Sequence, residues 1–208
     1  MASSAIVRHI TEALLGILRH DLSLIPTPIL PTSSIKAAPP EDIEEISSET
    51  LIVYLYQVIE SPFLKNVGPR AVVGPPSPFP PGGNPVVVRR DPLALDLYYL
   101  LIPGAPTTPE GAYLDTYDIL GAAMASFHDH GIFTIGDWVP SIPTADQNLQ
   151  FRLDFNRLDT ADLIRIWEAV QRPYRLSVSY VVRTAQIESQ LVTDTRVVSE
   201  RRITMEQR

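Results

Sequence analysis

Hydrophobic positions near the start of the chain recur at helical spacing. Ile6, Ile10, Leu14 and Ile17 fall four, four and three residues apart, which predicts an amphipathic helix over about 4–20 with Ser3 or Ser4 as its cap. Pro26, Pro28 and Pro31 then forbid helix and keep the chain extended or turning. LIVYLYQVI, residues 51–59, is almost continuously apolar, short and β-branched, which predicts a strand covered on both faces. DPLALDLYYLLIP, residues 91–103, predicts a second central strand. Leu93, Leu95, Leu97, Tyr99 and Leu101 take one face of it, and Ala94, Asp96, Tyr98 and Leu100 the other. From Tyr113 to about His130 the period turns helical again. Tyr113, Tyr117, Leu120, Met124 and Phe127 form the stripe, Gly131 suits the stop, and Gly121, Ala122, Ala123 and Ala125 let the helix lie close to a sheet.

Residues 132–148 read as loop. FRLDFNRL then alternates, with Phe151, Leu153 and Phe155 inward and Arg152, Asp154 and Asn156 outward. Asp159 or Thr160 caps a short helix whose buried stripe is Leu163, Ile166, Trp167 and Val170. A half-buried strand follows, with Leu176, Val178, Tyr180 and Val182 alternating against Ser177, Ser179, Val181 and Arg183. Between the two central strands lies a Pro-rich loop, residues 68–90. Residues 68–85 alone hold seven prolines and four glycines, a density that excludes helix and ladder and reads as a surface excursion. The elements sum to an α/β (α+β) fold in one domain, residues 1–189. It has a mixed, mostly antiparallel sheet of four or more strands with packed helices, and a C-terminal arm, residues 190–208, follows.

Composition narrows the function. The chain of 208 residues carries a net charge of −7, so it is a poor general binder of phosphate backbones, and nucleic acid is not an expected partner. It contains no cysteine, which excludes disulfides, thiol nucleophiles and Cys-ligated metal. No apolar stretch approaches the roughly 20 residues of a membrane span. The N-terminal helix does not read as a signal peptide, because Arg8, His9 and Glu12 leave only Ala13–Leu18 as an uncharged apolar run. A mature soluble protein is expected.

Catalytic signatures are missing. There is no GxSxG elbow, no GxxxxGK[ST] and no GxGxxG. His128-Asp129-His130 is the tightest group of metal-ligand types, but residues i and i+2 point about 200° apart on a helix, so no shared metal is expected. Asp159 and Asp162 resemble a carboxylate pair, yet a helix start already explains both. Asp96 stands out as an acid inside an apolar strand. It requires a partner, and Arg89, Arg175 and Arg183 are the candidates. Neither an enzyme nor a cofactor is expected.

Three stretches carry a resemblance: LALDLYYLL (93–101), DILGAAM (118–124) and LDFNRLDTADLIRIWEAVQRPYRLSVSYVVR (153–183). Together, over about residues 3–189, they resemble the N-terminal-domain family of cap, or tail-terminator, proteins of extracellular contractile injection systems, the virulence-cassette and antifeeding-prophage type. The resemblance implies a phage tail-terminator-like fold forming a homohexameric ring on the distal end of the inner tube, where it ends tube growth and anchors the last sheath layer. The implied partners are other copies of the chain, the inner tube protein and the sheath protein. Neither membrane nor metal is implied. The particle would assemble in the cytoplasm and then be released or retained. On this reading Ser189, Arg196, Arg201 and Arg202 of the arm reach a neighbouring copy. Pro78 and Phe79 of the Pro-rich loop, and Glu44 and Glu45 of the acidic stretch 41–49, meet tube or sheath. The alternative is an adaptor or chaperone of the same particle. A small metal hydrolase using His128 and His130 is the third reading, and its mark would be a bound metal lost on His130→Ala.

Overall fold

The computed structural model describes residues 5–25, 30–40, 50–62, 70–73, 85–89, 92–104, 112–187 and 192–196. The first helix, α1 (Ile6–Ser23), buries Ile6, Ile10, Leu14, Ile17 and Leu18 as its periodicity requires, and the stripe continues to Leu22. Its N-cap position is Ala5, which supplies no side-chain bond; Ser3 and Ser4 lie outside the described residues. A 3-10 turn at Thr32–Ser34 leads into β1 (Ile35–Ala37), followed by β2 (Leu51–Glu60), β3 (Arg70–Val73), β4 (Pro85–Arg89) and β5 (Leu93–Pro103). Then come α2 (Ala112–Asp129), β6 (Ile132–Thr134), α3 (Ile135–Trp138), α4 (Thr144–Gln147) and β7 (Gln150–Asn156). The last elements are α5 (Thr160–Ala169), β8 (Val178–Ile187) and β9 (Val192–Arg196).

Six strands form the main sheet in the order β1-β2-β5-β8-β7-β6, with β1 parallel to β2 and every other pair antiparallel. The mixed, mostly antiparallel α/β fold expected from the pattern therefore holds. β5 and β8 lie at the centre, which explains why β5 is apolar on both faces. Leu97, Tyr99 and Leu101 enter the larger core with α1 and α2, and Leu100 and Ile102 enter a smaller one with Trp167. Tyr99 anchors α1 to the sheet. Thr11 Oγ1 donates to Val7 O at 2.9 Å, so the 2.8 Å contact has the Tyr99 hydroxyl donating to Thr11. Burial pushes the Tyr99 phenol well above its ordinary range, and the bond to Thr11 offsets only part of that.

Several expectations are corrected by where cover ends. β2 is buried at Leu51–Val53 and open from Gln57, with Val58 and Ile59 exposed, because the helices do not reach that end of the strand. On α2 the inward face is Thr116, Ile119, Leu120, Ala123, Ser126 and Phe127; Tyr117 is 54% exposed. Gly121 meets nothing where its side chain would be, so it is not a close-approach residue. The tight glycines lie elsewhere. A Cβ on Gly16 would press on Trp138 at 3.3 Å, and one on Gly136 would strike the Gln147 carbonyl at 2.7 Å. Residues 132–148 are not plain loop but three short elements, β6, α3 and α4, each too brief to show a period in sequence. α5 opens on Asp159, whose carboxylate accepts from the Asp162 N–H at 2.8 Å. Its stripe narrows to Trp167; Leu163 and Ile166 are only half-buried. At its end Gln171 adopts φ 58°, and the Arg172 N–H reaches back to Trp167 O at 3.2 Å, a helix stop usually made by glycine.

Candidate functional site

Two places stand apart from the packed body. The first is built of backbone: β3, β4 and β9 form a three-stranded ribbon in the order β3-β4-β9. The main-sheet pair β5–β8 reaches Leu93↔Ile187, and after short connections the same chain segments pair again at Arg89↔Val192. The ribbon is thus a separate sheet built from the segments that precede β5 and follow β8 in the chain. Its far end is defined by the pairs Val73↔Val86 and Pro85↔Arg196. Segments 74–84 and 197–208 both depart from that end, so the Pro-rich stretch and the tail share one origin. The expectation of an uninterrupted loop over 68–90 is corrected here. The prolines concentrate in 75–85, and the flanking RAVV and VVVR are β-branched runs that pair. Pro85 is tolerated as the first residue of its strand. The arm is likewise not wholly free, because Val192–Arg196 pairs with β4 and Arg196 stands in register opposite Pro85. Ser189, Arg201, Arg202, Pro78, Phe79, Glu44 and Glu45 lie outside the described residues.

The second place is a groove of about 770 Å³ where β6 begins beside the last turns of α2. Met124, Phe127, Leu153, Phe155 and Tyr180 supply its apolar wall, and His128, Arg152 and Asp154 also line it. β6 covers β7 only at Gln150–Arg152. The Leu153 N–H still finds Gly131 O at 2.9 Å, but two residues further, at Phe155, β6 no longer pairs with β7, which is held by β8 alone. Phe155, expected inward, is therefore 55% exposed, and Ile132 is 63% exposed beside it. Phe127 and Phe155 both stand edge-on to Tyr180, at 5.0 and 5.5 Å. Burial pushes the Tyr180 phenol up to about 12, so it remains a donor at any ordinary pH. Sequence alternation finds the side Phe155 takes but not where α2 stops covering it.

Charge on the other face of the sheet is organised around the acid that sequence singled out. Asp96 is 4% exposed, and Arg183 Nη1 lies 3.7 Å from its carboxylate. Arg183 is thus one of the expected partners, and the side chain of Arg89 lies outside the described ones. A one-residue register slip between Leu95 and Leu97 in the β5–β8 ladder lies at this point. Arg183 Nε also donates to Asp154 at 3.0 Å, and Arg152 Nε donates to the same carboxylate at 2.8 Å. Beside this chain, Asn156 Nδ2 donates to Ser179 at 3.0 Å and to Tyr56 at 3.2 Å, and burial raises the Tyr56 phenol. These are alternating ion pairs and satisfied hydrogen bonds, and no nucleophile stands next to a base in them. His128 is exposed, whereas His130 turns to Asp21, 3.1 Å away, so the two imidazoles diverge. Among the described residues no group of three metal-ligating side chains converges on one point. No helix among them is long and apolar enough to cross a membrane.

Comparison with known proteins places this fold. Two structures solved by cryo-electron microscopy are similar. One is the PVC sheath/tube terminator of an extracellular contractile injection system in its extended state, with TM-score 0.60 and 14% identity over 100% of this chain and 65% of that one. The other is the anti-feeding prophage tube-terminating cap, with TM-score 0.51 and 14% identity over 83% of this chain and 56% of that one. The chain thus spans about two thirds of the terminator and just over half of the cap, and at this identity the likeness is one of fold. No curated protein sequence matches the chain. The family model described as the Pvc16 N-terminal domain matches residues 9–200, from the first turn of α1 past β9, and the chain belongs to that family.

Proposed function

We propose that this chain is a tail terminator of a contractile injection system. It forms a six-membered ring on the distal end of the inner tube, ends tube growth and anchors the last sheath layer. The single observation that carries this reading is the likeness of fold, over the whole chain, to a protein described as a sheath/tube terminator. The chain acts by binding and not by catalysis. What a terminator requires is a rigid body and surfaces for identical neighbours and for the tube end, and a doubly covered central sheet with a separate three-stranded ribbon suits that task. A heterologous interface closes at six when each copy is rotated by about 60°. Residues 1–189 form the body, and the arm from 190 reaches a neighbouring copy through Ser189, Arg196, Arg201 and Arg202. Pro78 and Phe79, carried between β3 and β4, and Glu44 and Glu45 meet tube or sheath. The protein assembles with the particle in the cytoplasm and stays with it.

Deleting the gene from the intact cluster tests the proposal. Ragged, over-long or uncapped tubes by electron microscopy are the expected result. Tubes of one length with a normal cap overturn it. An adaptor or chaperone would instead be missing from purified wild-type particles, whereas a terminator co-purifies as one ring per end.

A further inference from the structure

The main sheet is left open at both sides, because its outermost strands are short. β1 pairs with β2 only at Leu51–Val53, and β6 pairs with β7 only at Gln150–Arg152. Among the described residues, no strand pairs with the outer side of β2 over Gln57–Glu60, or with that of β7 over Asp154–Asn156. All four residues of the β2 end are exposed, and so is Phe155 on β7. Neither end carries lysine or proline, which usually guard a free edge. The two ends lie at nearly one level of the sheet. Val58 stands opposite Leu97, Leu97 opposite Val182, and Val182 opposite Leu153, two residues before Phe155. Alternate residues of an antiparallel ladder turn their N–H and C=O to the same side. Leu153 turns outward, to Gly131, so Phe155 does too; counted across the row, Val58 and Glu60 turn outward at the opposite side. Val58 shares the face of Leu97, and Phe155 that of Leu153, which is the face of the larger core.

We propose that these two ends join copies of the chain: the β2 end of one lies antiparallel against the β7 end of the next, with an apolar side chain of β2 entering the groove beside Phe155. The inference rests on the ring reading above and names the surface of the body that closes the ring. β2 and β7 run in opposite directions within the sheet, so a copy set beside it in the same orientation brings β2 antiparallel to β7. The added strand gives the outward N–H and C=O of Phe155 their partners. The contact uses two different surfaces, so each copy gives one end and receives the other, the kind of interface that closes into a ring. Charge selects it over two-fold pairing. Glu60 is the charged residue of the β2 end, whereas Arg152 and Arg157 bracket the β7 end, where Asp154 is already held by Arg152 and Arg183. Pairing β2 with β2 brings Glu60 towards Glu60, and pairing β7 with β7 brings arginines together. Like charges across a ladder are unfavourable and unlike charges favourable.

The chain has no cysteine, so introduced thiols report this contact alone. Facing residues of an antiparallel pair stand about 4.5–5.5 Å apart at Cα, within the roughly 4.4–6.8 Å that a disulfide spans. Phe155→Cys is combined in turn with Val58→Cys and with Glu60→Cys, the β2 residues that turn to the open side, and particles made from the intact cluster are oxidised. All three positions are exposed, so the variants keep the fold. The expected result is a ladder of cross-linked chains that ends at six in one of the double variants and is absent from every single variant. Links in a single variant would mean two-fold pairing, and links to tube or sheath protein would mean that the edge serves another partner. Either result, or a six-copy ring seen by electron microscopy with no links in it, overturns the inference and leaves the terminator reading standing. Particles that lack this chain overturn both.

Discussion

The two faces of the main sheet are covered by different means. On one, α1 and α2, each of 18 residues, lay a broad hydrocarbon layer over Leu97, Tyr99, Leu101 and Val182. On the other, the 10-residue α5 brings one large side chain, Trp167, down on Ile52, Leu100 and Ile102, with its indole N–H 3.3 Å from Ser177. The rest of that face is polar: the Asp96–Arg183–Asp154–Arg152 chain and the Tyr56–Ser179–Asn156 group. A broad layer spreads the burial over many contacts, so loss of one is shared. A single plug concentrates it. The polar remainder is affordable only because nearly every donor there has found an acceptor.

That contrast is open to attack by substitution. Trp167→Ala should cost about 3–5 kcal/mol in denaturant unfolding, because nothing adjacent is large enough to fill the space. If the variant keeps wild-type stability yet fails to cap tubes, Trp167 is a contact residue and the plug reading is wrong. Leu14→Ala, inside the broad layer, should cost about 2–5 kcal/mol, below Trp167→Ala in the same assay. A larger loss there would reverse the comparison. Asp159→Ala removes the cap that orients α5 and should cost about 1 kcal/mol, read from the same unfolding curves. Gln171→Gly relieves a left-handed residue at the other end of α5 and should raise stability by up to about 1 kcal/mol. Phe155→Ala, at the groove where neither layer reaches, should shift stability by no more than about 0.5 kcal/mol. A shift like that of Leu14→Ala would mean Phe155 is core after all.

Periodicity carries the large elements because burial of a long face demands it. α1, β5, β7, α5 and β8 all appear where their spacing places them, the side chain expected to cap α5 does so, and Asp96 finds one of its expected arginines. Local pattern cannot report where cover stops. Tyr117, Phe155, Val58 and Leu176 carry the right spacing and yet stay exposed. Nor does it report pairing between distant segments. The ribbon joins residues 70–73 and 85–89 to 192–196, more than a hundred residues away, and dense prolines between the first two hid their β-branched runs. The contact of His130 with Asp21 is invisible for the same reason, since the two approach only through tertiary packing.

The most direct test of the terminator reading is a cryo-electron microscopy reconstruction of the distal end of the assembled particle. The account predicts six copies of this fold in a ring on the last layer of the inner tube, with the outermost sheath layer in contact with it. A tube end closed by a different protein, with this fold absent from the particle, would contradict it.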